Sequence, residues 1–311
     1  MSAAAVQALS RSGVVYHIDA SYFIFRAYHS MPSDMVDGDG NATHALYGFA
    51  RFISDLLEQV RPERIAVAFD LSLRSATSFR NGIYPPYKAN REARPADLVR
   101  QIVLCREFCR HMGVAEFASA QYEADDVIGT LAALSRSAGL RNVLVTRDKD
   151  LSQLIRHGDV FWDYSGNVRY QYHDIGPRFG ATPELIADFL ALTGDSVDNI
   201  PGVPGVGKKT AAELFAVFGS LDELYANLDR VPSMKFRGAA ALAARLLAHK
   251  EAAYLARRLT GIVCNIPLEA TLEDLKPRQQ NRPRLDSFFD AHGFGNILRH
   301  QVCRIAAGSV A

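Results

Sequence analysis

Nine carboxylates recur where they could do chemistry together: Asp19, Asp70, Glu123, Asp125, Asp126, Asp148, Asp150, Asp195 and Asp198. Singly, each has an ordinary role as a cap, a turn residue or a solvated charge. As a set they do not, because clustering or burying so many like charges is costly without cations. Hard divalent ions want oxygen ligands, and Mg²⁺ keeps several waters beside a few carboxylates. Two such ions about 4 Å apart can activate a water, hold a phosphate and stabilise a leaving oxygen. A surplus of acids over direct ligands is expected where some act through water.

Three spacings carry information. Glu123 and Asp126 share a face of a helix, and Asp125 points elsewhere unless that helix begins at or after it. A helix N-terminus also favours carboxylates electrostatically. Asp148 and Asp150 share a side of an extended backbone. Asp195 and Asp198 share a side of one helical turn.

The most specific local motif runs from Gly194 to Ala211. Gly202, Gly205 and Gly207 free the backbone for tight turns, and the run opens into a helix around Lys208, Lys209 and Thr210. Amides at that helix start, beside two lysines, make a phosphate seat. This is the pattern of a helix–hairpin–helix, a grip on a DNA backbone that reads no bases. Gly202 to Lys208 also fits the spacing of a P-loop, but Lys209 stands where Ser or Thr would hold Mg²⁺, and no strand leads in. A dinucleotide fingerprint fits less well, since the spacing is G-x-x-G-x-G. A glycine-rich connector without a ligand is the bland alternative.

The elements that must position these residues are legible. Val14–Asp19, Ile65–Asp70 and Val143–Asp148 are short apolar runs that each end in an acid, and they read as buried strands. Helical patterns over 45–60 and 127–137 separate them, which gives a parallel sheet covered on both faces. Ligands in such folds lie outside the carboxyl ends of the strands, where Asp19, Asp70 and Asp148 fall. From about Thr182 to Thr260 the pattern becomes a helical lobe, with helices at 184–192 and 210–218 and Gly219 as a stop. We expect a sheet core over 1–181 and a lobe with a C-terminal tail over 182–311. Residues 72–94 read as a long surface loop, too irregular and charged for the core, leading into a helix.

Net charge is +1, which does not by itself suggest a nucleic-acid binder. The average hides a segregation: from Arg74 to Arg110 eight basic residues face three acidic ones, while the carboxylates group elsewhere. The 311 residues are 48% hydrophobic, enough for a full core. No apolar run reaches the ~18 residues of a membrane span. Met1 to Gly13 lacks the basic start and apolar stretch of a signal peptide. Cys105, Cys109, Cys264 and Cys303 show no paired-ligand spacing and read as thiols of a reduced, cytoplasmic protein.

The blocks Ile18-Asp19-Ala20-Ser21-Tyr22 through Arg26-Ala27-Tyr28-His29, Ala68-Phe69-Asp70, Ser78-Phe79-Arg80 and Tyr87-Lys88-Ala89-Asn90-Arg91 stand in one order. Tyr122-Glu123-Ala124-Asp125-Asp126, Thr146-Arg147-Asp148-Lys149-Asp150 and Gly194 to Ala211 follow. Together they resemble the 5′-nucleases that form the N-terminal part of bacterial DNA polymerase I, their stand-alone and phage relatives, and the flap endonucleases. The likeness spans about Val14 to Ile262.

The resemblance implies an α/β fold with a PIN-like parallel-sheet core, a helical arch over roughly 72–112 and a helix–hairpin–helix lobe. It implies two divalent cations, Mg²⁺ or Mn²⁺, and 5′-phosphorylated products from DNA with 5′ ends, flaps or nicked and branched duplex, RNA-primed DNA included. Asp19, Asp70, Glu123 and Asp125 or Asp126 match the first metal set; Asp148, Asp150, Asp195 and Asp198 match the second. The family's hairpin can hold K⁺ on backbone carbonyls, here those of Leu192, Thr193, Pro201, Val203 and Val206. Arg80, Lys88 and Arg91 match phosphate-contacting positions. Lys88 would polarise the scissile phosphate, with Arg26 facing the same site. Phe25 would stack on a terminal base, although an aromatic among Tyr22, Phe23 and Tyr28 is more often core. A chain of this length is expected to be a stand-alone monomer or a piece of a polymerase. A non-catalytic DNA-structure binder would need the hairpin and arch but not nine acids. A single-strand ribonuclease would lack arch and hairpin, and an NTPase rests on the imperfect P-loop alone.

Overall fold

Runs of Val, Ile and Phe too short for helices build the centre of the molecule. The computed structural model describes residues 13–71, 78–236 and 238–308. The reading of the N-terminal segment as no signal peptide, Arg74, and the beginning of the arch at 72–77 lie outside the described residues. Six strands occur among the described residues: β1 Val14–Asp19, β2 Ile65–Asp70, β3 Ala115–Ser119, β4 Arg141–Val145, β5 Val160–Asp163 and β6 Val168–Tyr170. They form one sheet in the order β3-β2-β1-β4-β5-β6, parallel except for β6. Register brings Asp19 opposite Ala68 and Asp70 opposite Ser119, so the acid-bearing ends point the same way.

Side-chain alternation splits the core in two. Val15, Ala66, Ala68, Leu144 and Phe161 face one side; Ile18, Val67, Phe69, Val145 and Trp162 face the other. The second side is covered by α1 Ala20–Ser30, α2 His44–Val60 and, beyond the short α3 Phe79–Ile83, by α4 Ala96–His111. The first side is covered by α5 Ala124–Ser137. After α6 Tyr172–Phe179, the chain continues on that side with α7 Ile186–Thr193, α8 Lys208–Phe218, α9 Leu221–Ala226, α10 Ala239–Ala248 and α11 Lys250–Thr260. This is the expected mixed α/β sheet with a helical lobe. No helix among the described residues is long and apolar enough to cross a membrane.

Two features differ from expectation. Residues 78–94 are not wholly a surface loop: α3 lies within them, and Arg80 and Tyr87 are buried. The C-terminal tail does not stay with the lobe. Leu275 O accepts the Ile65 N–H at 2.8 Å, and α12 Arg282–Ala291 and α13 Asn296–Gly308 insert Leu285, Phe288, Phe289, Leu298 and Val302 into the core beside α2 and α4. These apolar residues recur at helical spacing, and the open face of the first domain was available to bury them.

Candidate metal centre and nucleic-acid interface

The carboxyl ends of β1, β2 and β4, with the loops beyond them, enclose an open basin of about 610 Å³. Its lining includes Asp19, Asp70, Glu123, Asp125, Asp148, Asp150, Asp195 and Asp198, eight of the nine acids singled out above. Each arrives by a local device. Asp19 ends β1 and caps α1, accepting the Tyr22 N–H at 3.4 Å and the Thr146 hydroxyl at 2.8 Å. Asp70 ends β2 and accepts the Ser21 hydroxyl at 3.0 Å and the Ala124 N–H at 2.7 Å. Asp148, itself extended, caps a 3₁₀ turn over Lys149–Leu154 and accepts the Asp150 N–H at 2.9 Å, and both acids line the basin. Asp195 accepts the N–H groups of Val197 at 2.9 Å and Asp198 at 3.3 Å, folding its own turn.

The ninth acid goes elsewhere. Glu123 caps α5 in extended geometry, so it is not bound to a helix face, and it joins Asp125 in the basin. Asp126 is 0% exposed and turns inward to Arg80, itself 3% exposed, whose Nη1 and Nη2 lie 2.7 and 2.8 Å from its oxygens. The expected Glu123–Asp126 face is therefore replaced by Glu123–Asp125. Arg80, expected among the phosphate contacts, is held by Asp126 and by the carbonyls of Leu259 and Gly261. Arg26 does not line the basin; it is exposed and donates to the Ser165 hydroxyl at 3.0 Å.

Charge in the basin is poorly balanced. Burial, and then the charge of Asp148, push Asp19, Asp125 and Asp150 well above the usual carboxylate range. Burial would raise Asp195 too, but Lys149 together with the N–H groups of Val197 and Asp198 outweighs it and holds Asp195 low. Mutually repelling, oxygen-only donors fit divalent cations. Among the described residues no three His, Cys, Asp or Glu side chains close on one point as a metal cage. The acids ring the basin instead, with cationic side chains salt-bridged between them. Lys88 Nζ lies 2.8 Å from Glu123 and 3.7 Å from Asp198, Arg91 pairs with Asp198, and Lys149 bridges Asp195 at 2.6 Å and Asp150 at 3.0 Å. Burial disfavours the Lys88 ammonium, yet Glu123 and Asp198 outweigh it and keep it charged.

Phe25 lines the basin under Arg94, whose guanidinium lies 5.2 Å from the ring centre, while the neighbouring Phe23 enters the core. Sequence reasoning missed several residues here. Lys149 was signalled by its place between Asp148 and Asp150, and Arg94 by the basic run. The Tyr87 hydroxyl, donating to Glu123 at 3.0 Å and to Asp198 at 3.2 Å, had no local signal.

In the lobe, Gly207 caps α8, so Lys208 and Lys209 are its first two residues, both exposed. A Cβ on Gly202 would lie 2.5 Å from Gly194 N, so only glycine lets the hairpin press against the end of α7. Gly205 has a φ of 79°. Of the five carbonyls expected around K⁺, that of Leu192 accepts the Val203 N–H at 2.8 Å and that of Val203 accepts the Val206 N–H at 3.0 Å.

Family models agree with this geometry. That of the 5′-3′ exonuclease N-terminal resolvase-like domain matches residues 14–180, and that of the 5′-3′ exonuclease C-terminal SAM fold matches residues 181–283. The chain belongs to the 5′-3′ exonuclease family. All six strands among the described residues of this exonuclease-family chain fall within the first match, and Asp195, Asp198 and the hairpin fall within the second. It is similar to DNA polymerase I of Pseudomonas aeruginosa, 38% identical over 282 residues that cover 90% of this chain and 30% of that protein. DNA polymerase I of Rhizobium leguminosarum is 34% identical over 305 residues, 95% of this chain and 29% of that protein. The chain thus spans about 30% of the length of the curated relatives it matches. Its fold is similar to T5 5′-exonuclease with bound zinc (TM-score 0.64, 17% identity, 94% of this chain and 98% of that one). The catalytic core of Rad2 in complex with DNA substrate is similar too (TM-score 0.61, 15% identity, 95% and 94%).

Proposed function

We propose that this chain is a structure-specific 5′-nuclease that hydrolyses phosphodiester bonds of DNA at 5′ ends and 5′ flaps, leaving 5′-phosphorylated products. The observation that carries the reading is the convergence of eight acids, drawn from Asp19 to Asp198, on one basin that Lys88, Arg91 and Arg94 also line. Asp19, Asp70, Glu123 and Asp125 would hold one divalent cation, Mg²⁺ or Mn²⁺, and Asp148, Asp150, Asp195 and Asp198 the other. Once bound there, the two ions supply Lewis acidity at the phosphate and a more acidic water. Lys88 brings a desolvated ammonium to the reacting phosphate, where a fixed charge acts strongly. Arg91 and Arg94 add phosphate contacts, and Phe25 offers a ring to a terminal base.

The hairpin lobe, with Gly202, Gly205, Gly207, Lys208, Lys209 and Thr210, grips duplex backbone without reading bases. K⁺ on the carbonyls of Leu192, Thr193, Pro201, Val203 and Val206 would brace that loop. The functional division falls near residue 181, with α12 and α13 lying on the core. A zinc-bound T5 exonuclease and a DNA-bound Rad2 core of the same fold support the reading. So does the likeness to DNA polymerase I, which favours a role in primer removal and repair, with nicked, branched and RNA-primed DNA as substrates for a monomer.

One assay tests it: 5′-flap DNA, blunt duplex, RNA and ATP, each incubated with Mg²⁺ or with chelator. Mg²⁺-dependent release of a 5′-phosphorylated fragment from flap DNA is expected. Flap binding without cleavage would leave a DNA-structure binder, and turnover of ATP alone an NTPase.

A further inference from the structure

We propose that Asn90 and Asn199 are positioning residues: two reciprocal side-chain clips that fasten the Lys88 loop to the turn bearing Asp195 and Asp198. The Asn90 amide donates to the Ser196 carbonyl at 2.9 Å, and the Asn199 amide donates to the Pro86 carbonyl at 2.7 Å. Between them the Lys88 N–H donates to the Asp198 carbonyl at 2.9 Å. The joined segments are remote in sequence. One lies between β2 and α4, the other between α7 and α8.

Backbone geometry gives the clips a purpose. Lys88 has a φ of 55° and Asn199 a φ of 56°, both left-handed. Asparagine tolerates that region, whereas a lysine there is strained and stays only when its surroundings over-determine it. The two amides supply that determination from either side of Lys88. Neither amide lines the basin, and neither touches one of its acids. They can therefore be removed without changing the charge around the cut bond.

The inference rests on the nuclease reading, through the role given there to Lys88. Its test uses the full chain with Asn90→Ala and Asn199→Gly, the latter keeping the positive φ while removing the amide. Single-turnover cleavage of 5′-flap DNA at saturating enzyme and Mg²⁺ should fall at least about tenfold in the double variant, since small misplacements of a catalytic group are costly. DNA affinity in chelator should stay within about twofold, because no phosphate contact is lost. In a Lys88→Ala background the same pair should cost less than about twofold, since the side chain they position is gone.

Amide hydrogen exchange over residues 86–91 should rise in the double variant. Equal losses with and without Lys88, or an unchanged rate with unchanged exchange, would overturn the inference. A wild-type chain inert on all DNA with Mg²⁺ would sink the nuclease reading instead, and exchange alone would still judge the clips. Should Asn199→Gly melt early, Asn90→Ala, at an exposed side chain, carries the same comparison.

Discussion

Arg80 and Asp126 form a two-pronged ion pair with both partners out of water, their side chains 3% and 0% exposed. The pair joins α3, α5 and the end of α11, since Arg80 also donates to the carbonyls of Leu259 and Gly261 and Asp126 accepts the Val263 N–H. Removing one partner of a buried pair strands the other charge, which costs about 3–5 kcal/mol. Arg80→Ala should therefore lower stability by that order in urea unfolding while leaving the salt dependence of DNA binding unchanged. A salt slope flattened by about one, with stability intact, would make Arg80 a phosphate contact after all.

Divalent cations should stabilise the fold as well as enable cleavage. Ions that bind the folded basin but not the unfolded chain add roughly 2.7 kcal/mol per site at about a hundred times Kd. The melting temperature should rise with Mg²⁺, and rise less in Asp19→Asn or Asp70→Asn. Lys149→Met should sharpen the effect: with no ammonium between Asp150 and Asp195, the chelated protein should melt lower and gain more from Mg²⁺. Melting curves indifferent to saturating Mg²⁺ and Mn²⁺ would count heavily against two ion sites.

Asp70→Asn keeps an oxygen for the Ala124 N–H, which the wild-type carboxylate accepts at 2.7 Å, and removes one negative charge. Cleavage should be lost, while DNA affinity in chelator should equal or exceed wild type because a repulsion has gone. Gel-shift titration beside a cleavage time course reads both. Full activity in this variant would end the mechanism.

The two basic regions should separate kinetically. Each phosphate contact contributes about −0.9 to the slope of log K against log salt on duplex DNA. Lys208→Ala with Lys209→Ala should weaken binding alike for unrelated sequences and flatten that slope by up to about two. Saturated turnover should fall much less. Lys88→Ala should instead lower single-turnover cleavage where affinity no longer limits it. The reverse pattern would exchange the roles of arch and hairpin.

Strands β1 and β2 were readable because each is a buried apolar run ending in an acid; β4 was readable from the same apolar pattern, though it begins at Arg141 and stops at Val145, three residues before Asp148. Strand β3 was not: Ala115–Ser119 is half-buried at the sheet edge and shows no clean alternation, and β6 is three residues long. Nine acids were named from the sequence because so many carboxylates at a few spacings are costly to cluster without cations, and eight of them line the basin. Asp126 escaped because one residue of difference in where a helix starts decides which way a side chain points. Arg80 and Arg91 look alike in a basic run, and each finds an acid remote in sequence; only the fold shows that Asp126 is buried in the core whereas Asp198 lines the basin. The tail showed apolar spacing, but which face it would cover depends on a surface that exists only after the sheet has formed.

The acids of the basin come from five separated stretches, from Asp19 on the first strand to Asp198 beyond α7. A chain emerging from the ribosome folds its N-terminal part first, and contacts distant in sequence close late. Asp19 and Asp70 can pair strands early, but the turn with Asp195 and Asp198 can join them only after the whole sheet and most of α7 exist. Assembly of the basin is thereby deferred until the chain beyond α7 has folded, and a chain ending before Asp195 carries only part of it.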